Sequence, residues 1–173
     1  NLYWSPYPDD PVFLSKLEKF LKAFAAEYDN PAIVDFIDGY GLGIWGEAWY
    51  IIWPDGSTQE HKNEAMRKIL QLYAGCFRNV NLILNLGGEL GHELETRYAY
   101  EENGYGFRRD GLGSMYFTEG DQNMARQMYG RTLLIGEACY WAVGRENVPD
   151  DFKPWENNDE GAFDSRYKPG NTW

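Results

Sequence analysis

Two carboxylates about ninety residues apart are set apart by what precedes them. Glu47 closes the stretch Val34-Asp35-Phe36-Ile37-Asp38-Gly39-Tyr40-Gly41-Leu42-Gly43-Ile44-Trp45-Gly46-Glu47. Glu137 closes Thr132-Leu133-Leu134-Ile135-Gly136-Glu137, and Trp141 follows it. In both, an apolar run of strand character ends in Gly-Glu with an indole nearby. A carboxylic acid that gives up a proton and a carboxylate that attacks carbon are the two groups that cleave a glycosidic bond. We therefore read Glu47 and Glu137 as a catalytic pair. Glu47 is the acid/base, because the neighbouring Trp45 and apolar strand would disfavour its charged form. Glu137 is the nucleophile, which must be ionised to attack.

Around this pair the sequence supplies groups suited to a sugar. Tyr40, Trp45, Trp49 and Trp141 offer flat aromatic faces at strand ends, and Asp38 and Asn85 offer hydrogen bonds to hydroxyls. Arg108, Arg109 and Asp110 place two fixed positive charges and a carboxylate at another strand end. An arginine hydrogen-bonded to the nucleophile would favour its charged form. The bland alternative for the three is an ion-pair network without chemistry. Glu89, Glu93 and Glu95 read as a solvated face, and His61 and His92 as surface residues. Neither a C-x-x-C nor a two-histidine helical motif is present, so no zinc site is expected, and the chemistry calls for no metal or organic cofactor.

Such groups must be held by regular elements. Asp10-Pro11 opens a helix, with Asp as cap and Pro at the first helical position. Phe13, Leu17, Phe20, Leu21, Phe24 and Tyr28 then recur at three- and four-residue steps, which predicts a helix over 11–28, ended by Asp29-Asn30-Pro31. The apolar run 32–37 predicts a strand buried on both faces. Ser57-Thr58-Gln59-Glu60 has the capping-box spacing. It opens a helix of about 58–77 with Ala65, Met66, Ile69, Leu70, Tyr73 and Phe77 inward. Strands are predicted at 80–85, 105–109 and 131–137. A short polar helix is expected at 92–102, closed by Asn103-Gly104, and another helix at 121–129, capped by Gly130. Residues 146–173 form an acidic, aromatic-containing irregular tail of the same domain.

Composition narrows the function classes. The 173 residues suffice for one domain with a core. The net charge of −11, with no basic cluster, argues against a nucleic-acid partner. No run of about 18 apolar residues predicts a membrane span. Cys76 and Cys139 read as small buried hydrophobes. The chain starts at Asn1, in what reads as the end of a strand, so a missing signal peptide says nothing about export.

The alternation of helices and strands predicts an α/β fold with parallel strands and right-handed crossovers. An open doubly wound sheet and part of a (β/α)₈ barrel both fit. The glycines at 39, 41 and 43 lack the third glycine of a dinucleotide-binding fingerprint and run into Trp-Gly-Glu, not a helix. The candidate residues all fall at C-terminal strand ends, where barrel enzymes carry their active sites.

On these residues the chain resembles the retaining (β/α)₈ glycoside hydrolases of the clan that holds β-galactosidases, mannanases and cellulases. In that clan the acid/base Glu ends strand four and the nucleophile Glu ends strand seven. With Glu47 ending strand four, 80–85 becomes strand five, 105–109 strand six and 132–137 strand seven. The Gly-x-Trp-Gly-Glu ending is also similar to that of poorly characterised bacterial barrel proteins related to the clan. The resemblance covers about 1–145, a partial catalytic domain from the end of strand three to the loop after strand seven. It implies a secreted or periplasmic glycosidase acting on an oligo- or polysaccharide, with additional polypeptide completing the barrel. The clan carries Asn before the acid/base to hold the sugar 2-hydroxyl. Here that position is Gly46, and Asn85 or Arg108 is the candidate replacement. The alternative is a carbohydrate-binding barrel protein without turnover.

Overall fold

The structure, a computed structural model, describes residues 5–43, 46–48, 50–85, 94–112 and 119–138. Among these, four strands alternate with helices in an α/β arrangement, and both strand pairs given below are parallel. Residues up to Gly106 form one compact unit and residues from Phe107 a second.

In the first unit, helix α1 spans Pro11–Tyr28, and Asp10 caps it by accepting from the Phe13 N–H at 2.8 Å. The expected apolar face is there in the sequence, but only Leu21 on it is fully buried. Phe20 stacks on Phe24, Tyr28 meets Phe24 at a tilt, and Phe24 meets Phe77 edge-on. Strand β1 covers only Phe36–Asp38, a correction to the expected 32–37. The cause is Asn30. Its side-chain oxygen accepts from the Ala32 N–H, and its carbonyl accepts from those of Ile33 and Val34. Three backbone donors are thus committed to a turn and cannot enter a ladder. The strand is also not buried on both faces, since Phe36 is 40% exposed.

Helix α2 spans Gln59–Cys76, and its cap is Thr58, whose hydroxyl oxygen accepts from the His61 N–H at 3.2 Å. The expected cap, Ser57, instead donates its hydroxyl to the Pro54 carbonyl at 2.7 Å and closes the preceding turn. All six side chains predicted to point inward from this helix and its end are buried. Each buried aliphatic side chain of this size contributes about 1.5–3 kcal/mol, so α2 anchors the unit. Cys76 is free and only half-buried. Strand β2, Asn81–Asn85, pairs in parallel with β1, placing Asp38 opposite Ile83. The short helix after it is a π-helix, Leu94–Glu102, followed by Gly104 with φ +67°.

Strand β3, Gly106–Leu112, is longer than the expected 105–109 and leads into the second unit. There it pairs in parallel with β4, Leu134–Ala138, from Phe107 opposite Leu134 to Asp110 opposite Glu137. The register then jumps to Leu112 opposite Ala138, a bulge that leaves Gly111 without a partner position. Helix α3, Glu119–Met128, precedes β4 and ends before Gly130 at φ +74°. No helix among the described residues is long and apolar enough to cross a membrane.

Candidate active site

In the first unit the C-terminal end of β1 leads directly into the Glu47 loop. The Gly39 N–H donates to the Ile83 carbonyl at 2.8 Å, which extends the β1/β2 ladder by one residue. A side chain at 39 would run into the Tyr105 ring. This close approach lets the Tyr105 hydroxyl lie 3.2 Å from the Gly39 carbonyl oxygen and 2.9 Å from that of Leu70. Tyr105 is fully buried, and burial pushes its phenol far above the ordinary value. It therefore stays a neutral donor that fixes the strand exit to α2.

The loop closes on itself beyond Gly39. The Ala48 N–H donates to the Leu42 carbonyl at 2.9 Å, and that of Gly46 to the Gly43 carbonyl at 3.3 Å. Glu47 sits half-buried between two residues in the left-handed region, Gly46 at φ +74° and Ala48 at φ +58°. A non-glycine residue holds such a conformation only when its surroundings impose it. Here Ala48 is completely buried. The backbone carrying Glu47 is thus set by packing on one side and by a glycine on the other.

Asp38 ends β1 and Asn85 ends β2, and Asn85 is buried. Tyr40 is buried as well, so its ring faces protein. Tyr73 reaches this region from α2. Burial, and then the charge of Asp38, push its phenol up to about 12. The spacing along α2 placed Tyr73 in the core but gave its hydroxyl no role. The signal was its type: a tyrosine at an inward position brings an oxygen that needs a polar neighbour.

In the second unit the candidates meet on one face of the β3/β4 pair. Arg108 and Asp110 are two apart on β3 and so point to the same face. Glu137 lies opposite Asp110. The Arg108 guanidinium donates through Nε to Asp110 Oδ1 at 3.0 Å and through Nη2 to Asp110 Oδ2 at 3.2 Å. Nη2 also donates to Glu137 Oε2 at 2.9 Å. Arg108 is nearly buried and Asp110 mostly so, while the Glu137 side chain is 61% exposed. A firmly held guanidinium therefore orients a carboxylate that remains accessible. Arg109 points to the opposite face and pairs with Asp121 on α3, at 3.2 Å. Of the two candidate arginines, Arg108 is the one seen to bond Glu137.

Trp45, Trp49 and Trp141 lie outside the described residues, as do Glu89, His92, Glu93, Cys139 and the tail 146–173. Comparison of the chain with protein-family models, with curated proteins and with solved structures returns no match.

Proposed function

We propose that this chain is the partial catalytic domain of a retaining (β/α)₈ glycoside hydrolase, with Glu47 as acid/base and Glu137 as nucleophile. The observation that carries the proposal is the Arg108–Glu137 hydrogen bond at 2.9 Å, made by a guanidinium already locked onto Asp110. A nucleophilic carboxylate has to be oriented and open to substrate, and these contacts favour both. In the first step a Glu137 oxygen attacks the anomeric carbon as the bond to the leaving oxygen breaks, and Glu47 gives that oxygen its proton. Glu47 then takes a proton from water, which attacks the anomeric carbon and releases Glu137. Asp38 and Asn85 are assigned to the sugar side of the first unit, and Arg108 and Asp110 to the support of Glu137; Tyr40, enclosed by protein, and Arg109, paired with Asp121 on the other face of β3, are not assigned to the substrate. We further propose that additional polypeptide completes the barrel. Phe20, Tyr28, Ile33 and Phe36 on α1, its following turn and β1 are all exposed, as a face awaiting further strands and helices would be.

The test is a pair of amide variants assayed on substrates of different leaving-group ability. Glu137→Gln should abolish turnover of every substrate, since no glycosyl–enzyme bond can form. Glu47→Gln should cripple poor leaving groups but spare the first step with activated aryl glycosides, and azide should rescue it. Equal losses in both variants without azide rescue overturn the assigned roles. Oligosaccharide binding without any turnover in the unaltered chain would point to the carbohydrate-binding alternative. The mechanism also requires the two carboxyl groups to lie about 5–5.5 Å apart in the assembled protein.

A further inference from the structure

The segment that follows Glu47 contains a conformational oddity that catalysis does not use. Tyr50 holds φ at +53°, in the left-handed region. Its side chain is 72% exposed. An aromatic residue in that conformation is strained, and with so little of the ring buried, packing does little to offset the strain. The next residue, Ile51, is buried, which pins the segment to the core and leaves Tyr50 and Ile52 facing out. Trp53 lies three residues on, so the extended chain keeps it within about 10 Å of Tyr50.

Trp53 is held by the first turn of α2. The His61 ring approaches it at 6.4 Å, tilted by 67°, and the Lys62 ammonium lies 5.5 Å from its ring centroid. His61 is in turn tied to Asp9, with Nε2 and Oδ2 2.8 Å apart. A half-buried indole is therefore fixed in orientation beside a carboxylate–imidazole pair whose two members remain partly open to solvent. Flat apolar faces next to groups that both donate and accept hydrogen bonds match the two aspects of a pyranose, its C–H face and its hydroxyl edge. The chain's net charge of −11 disfavours an anionic occupant.

We propose that Tyr50 and Trp53 form an accessory subsite that stacks on a sugar unit of a chain substrate away from the bond being cleaved, with Asp9 and His61 contacting its hydroxyls. The proposal rests on the carbohydrate-active reading of the chain and specifies an extended neutral glycan, not a free monosaccharide, as the ligand. Such a subsite makes affinity rise with chain length, and its rigidity limits the entropy lost on binding.

The test is calorimetric titration of the full chain, carrying Glu137→Gln so that ligands stay intact. The probes are β-1,4-linked glucose, mannose and xylose oligomers from disaccharide to hexasaccharide. Affinity for at least one series should climb with length. Trp53→Ala and Tyr50→Gly should flatten that climb, each weakening hexasaccharide binding roughly tenfold. Tyr50→Gly also removes the left-handed strain, so its thermal midpoint should equal or exceed that of its parent. A purely structural tyrosine would lower the midpoint instead. Unchanged hexasaccharide affinity in Tyr50→Gly, or no binding of any oligomer at millimolar concentration, overturns the subsite. Absence of turnover in the unaltered chain with length-dependent binding intact overturns the hydrolase reading and leaves the subsite standing.

Discussion

Arg108 reaches Glu137 across the parallel β3/β4 pair because the register sets Glu137 opposite Asp110, the residue that Arg108 already clasps. The guanidinium thereby joins two carboxylates on adjacent strands. Replacing it with Ala should remove the cation that joins Asp110 to Glu137. We expect Arg108→Ala to lower kcat/KM by roughly a hundredfold, about 3 kcal/mol in transition-state stabilisation. Arg108→Lys keeps the charge but loses the planar fork and should fall in between. Steady-state kinetics on activated aryl glycosides checks the order. Equal activity in all three proteins would remove Arg108 from the site.

Gly46 precedes Glu47 where the resembled clan has Asn. A Cβ there would meet the Gly41 backbone at 3.6 Å, ordinary contact, while φ is +74°. Asparagine tolerates this region better than most residues. Gly46→Asn should therefore fold, with a loss of roughly 1 kcal/mol measured by chemical denaturation. If the clan's contact to the sugar 2-hydroxyl can form, kcat should rise for glycosides that carry this hydroxyl and stay unchanged for their 2-deoxy analogues.

Asp29, just after α1, accepts from the backbone N–H groups of Arg78, Asn79 and Val80, all at 2.9 Å, and from the Asn79 side chain at 3.0 Å. Desolvation opposes ionisation, but these donors outweigh it and hold its carboxyl below the ordinary value. Its contribution to stability is thus present above the unfolded carboxylate value and is lost as pH falls through the lower folded value. Asp29→Ala should cost roughly 1–2 kcal/mol at neutral pH. Acid titrations of stability should show a shallower decline in that variant than in the parent.

Tyr73 gives the opposite limb. Its phenol is raised to about 12, first by burial and then by the Asp38 charge. In the unfolded chain it ionises near 10, so the unfolded state loses the proton first and stability falls between those values. Tyr73→Phe should remove an alkaline loss of about 2–3 kcal/mol, seen as a flatter stability profile over that range. A profile identical to the parent's would show that Tyr73 does not titrate with unfolding.

The helices were legible because their signals are local. Asp10-Pro11 and the inward positions of α2 each fix an element within a few residues. The strand limits and caps depended on competition that periodicity does not register. Asn30 takes the donors of residues 32–34, and Ser57 bonds backward to Pro54, which moves the cap to Thr58. The grouping of Arg108 with Glu137, and the diversion of Arg109 to Asp121, follow from strand alternation once β3 is placed. The sequence listed both arginines side by side without separating them. The Asp29 clasp lies beyond local reading altogether, since its partners are about fifty positions away.

That clasp makes the chain between residues 29 and 80 begin and end at one point. The β1 strand, the Glu47 loop and α2 form a lariat whose knot centres on the Asp29 carboxylate. Gly56, exposed at φ +78° with open space around it, lies in the turn before α2, near the middle of this stretch in sequence. A protease nick there would divide the polypeptide without separating the strands it joins, because β1 and β2 stay laddered and Asp29 still grips the start of β2. The two fragments should co-purify as a native-like complex. New termini placed at that glycine offer a route to a split reporter that reassembles on its own ladder.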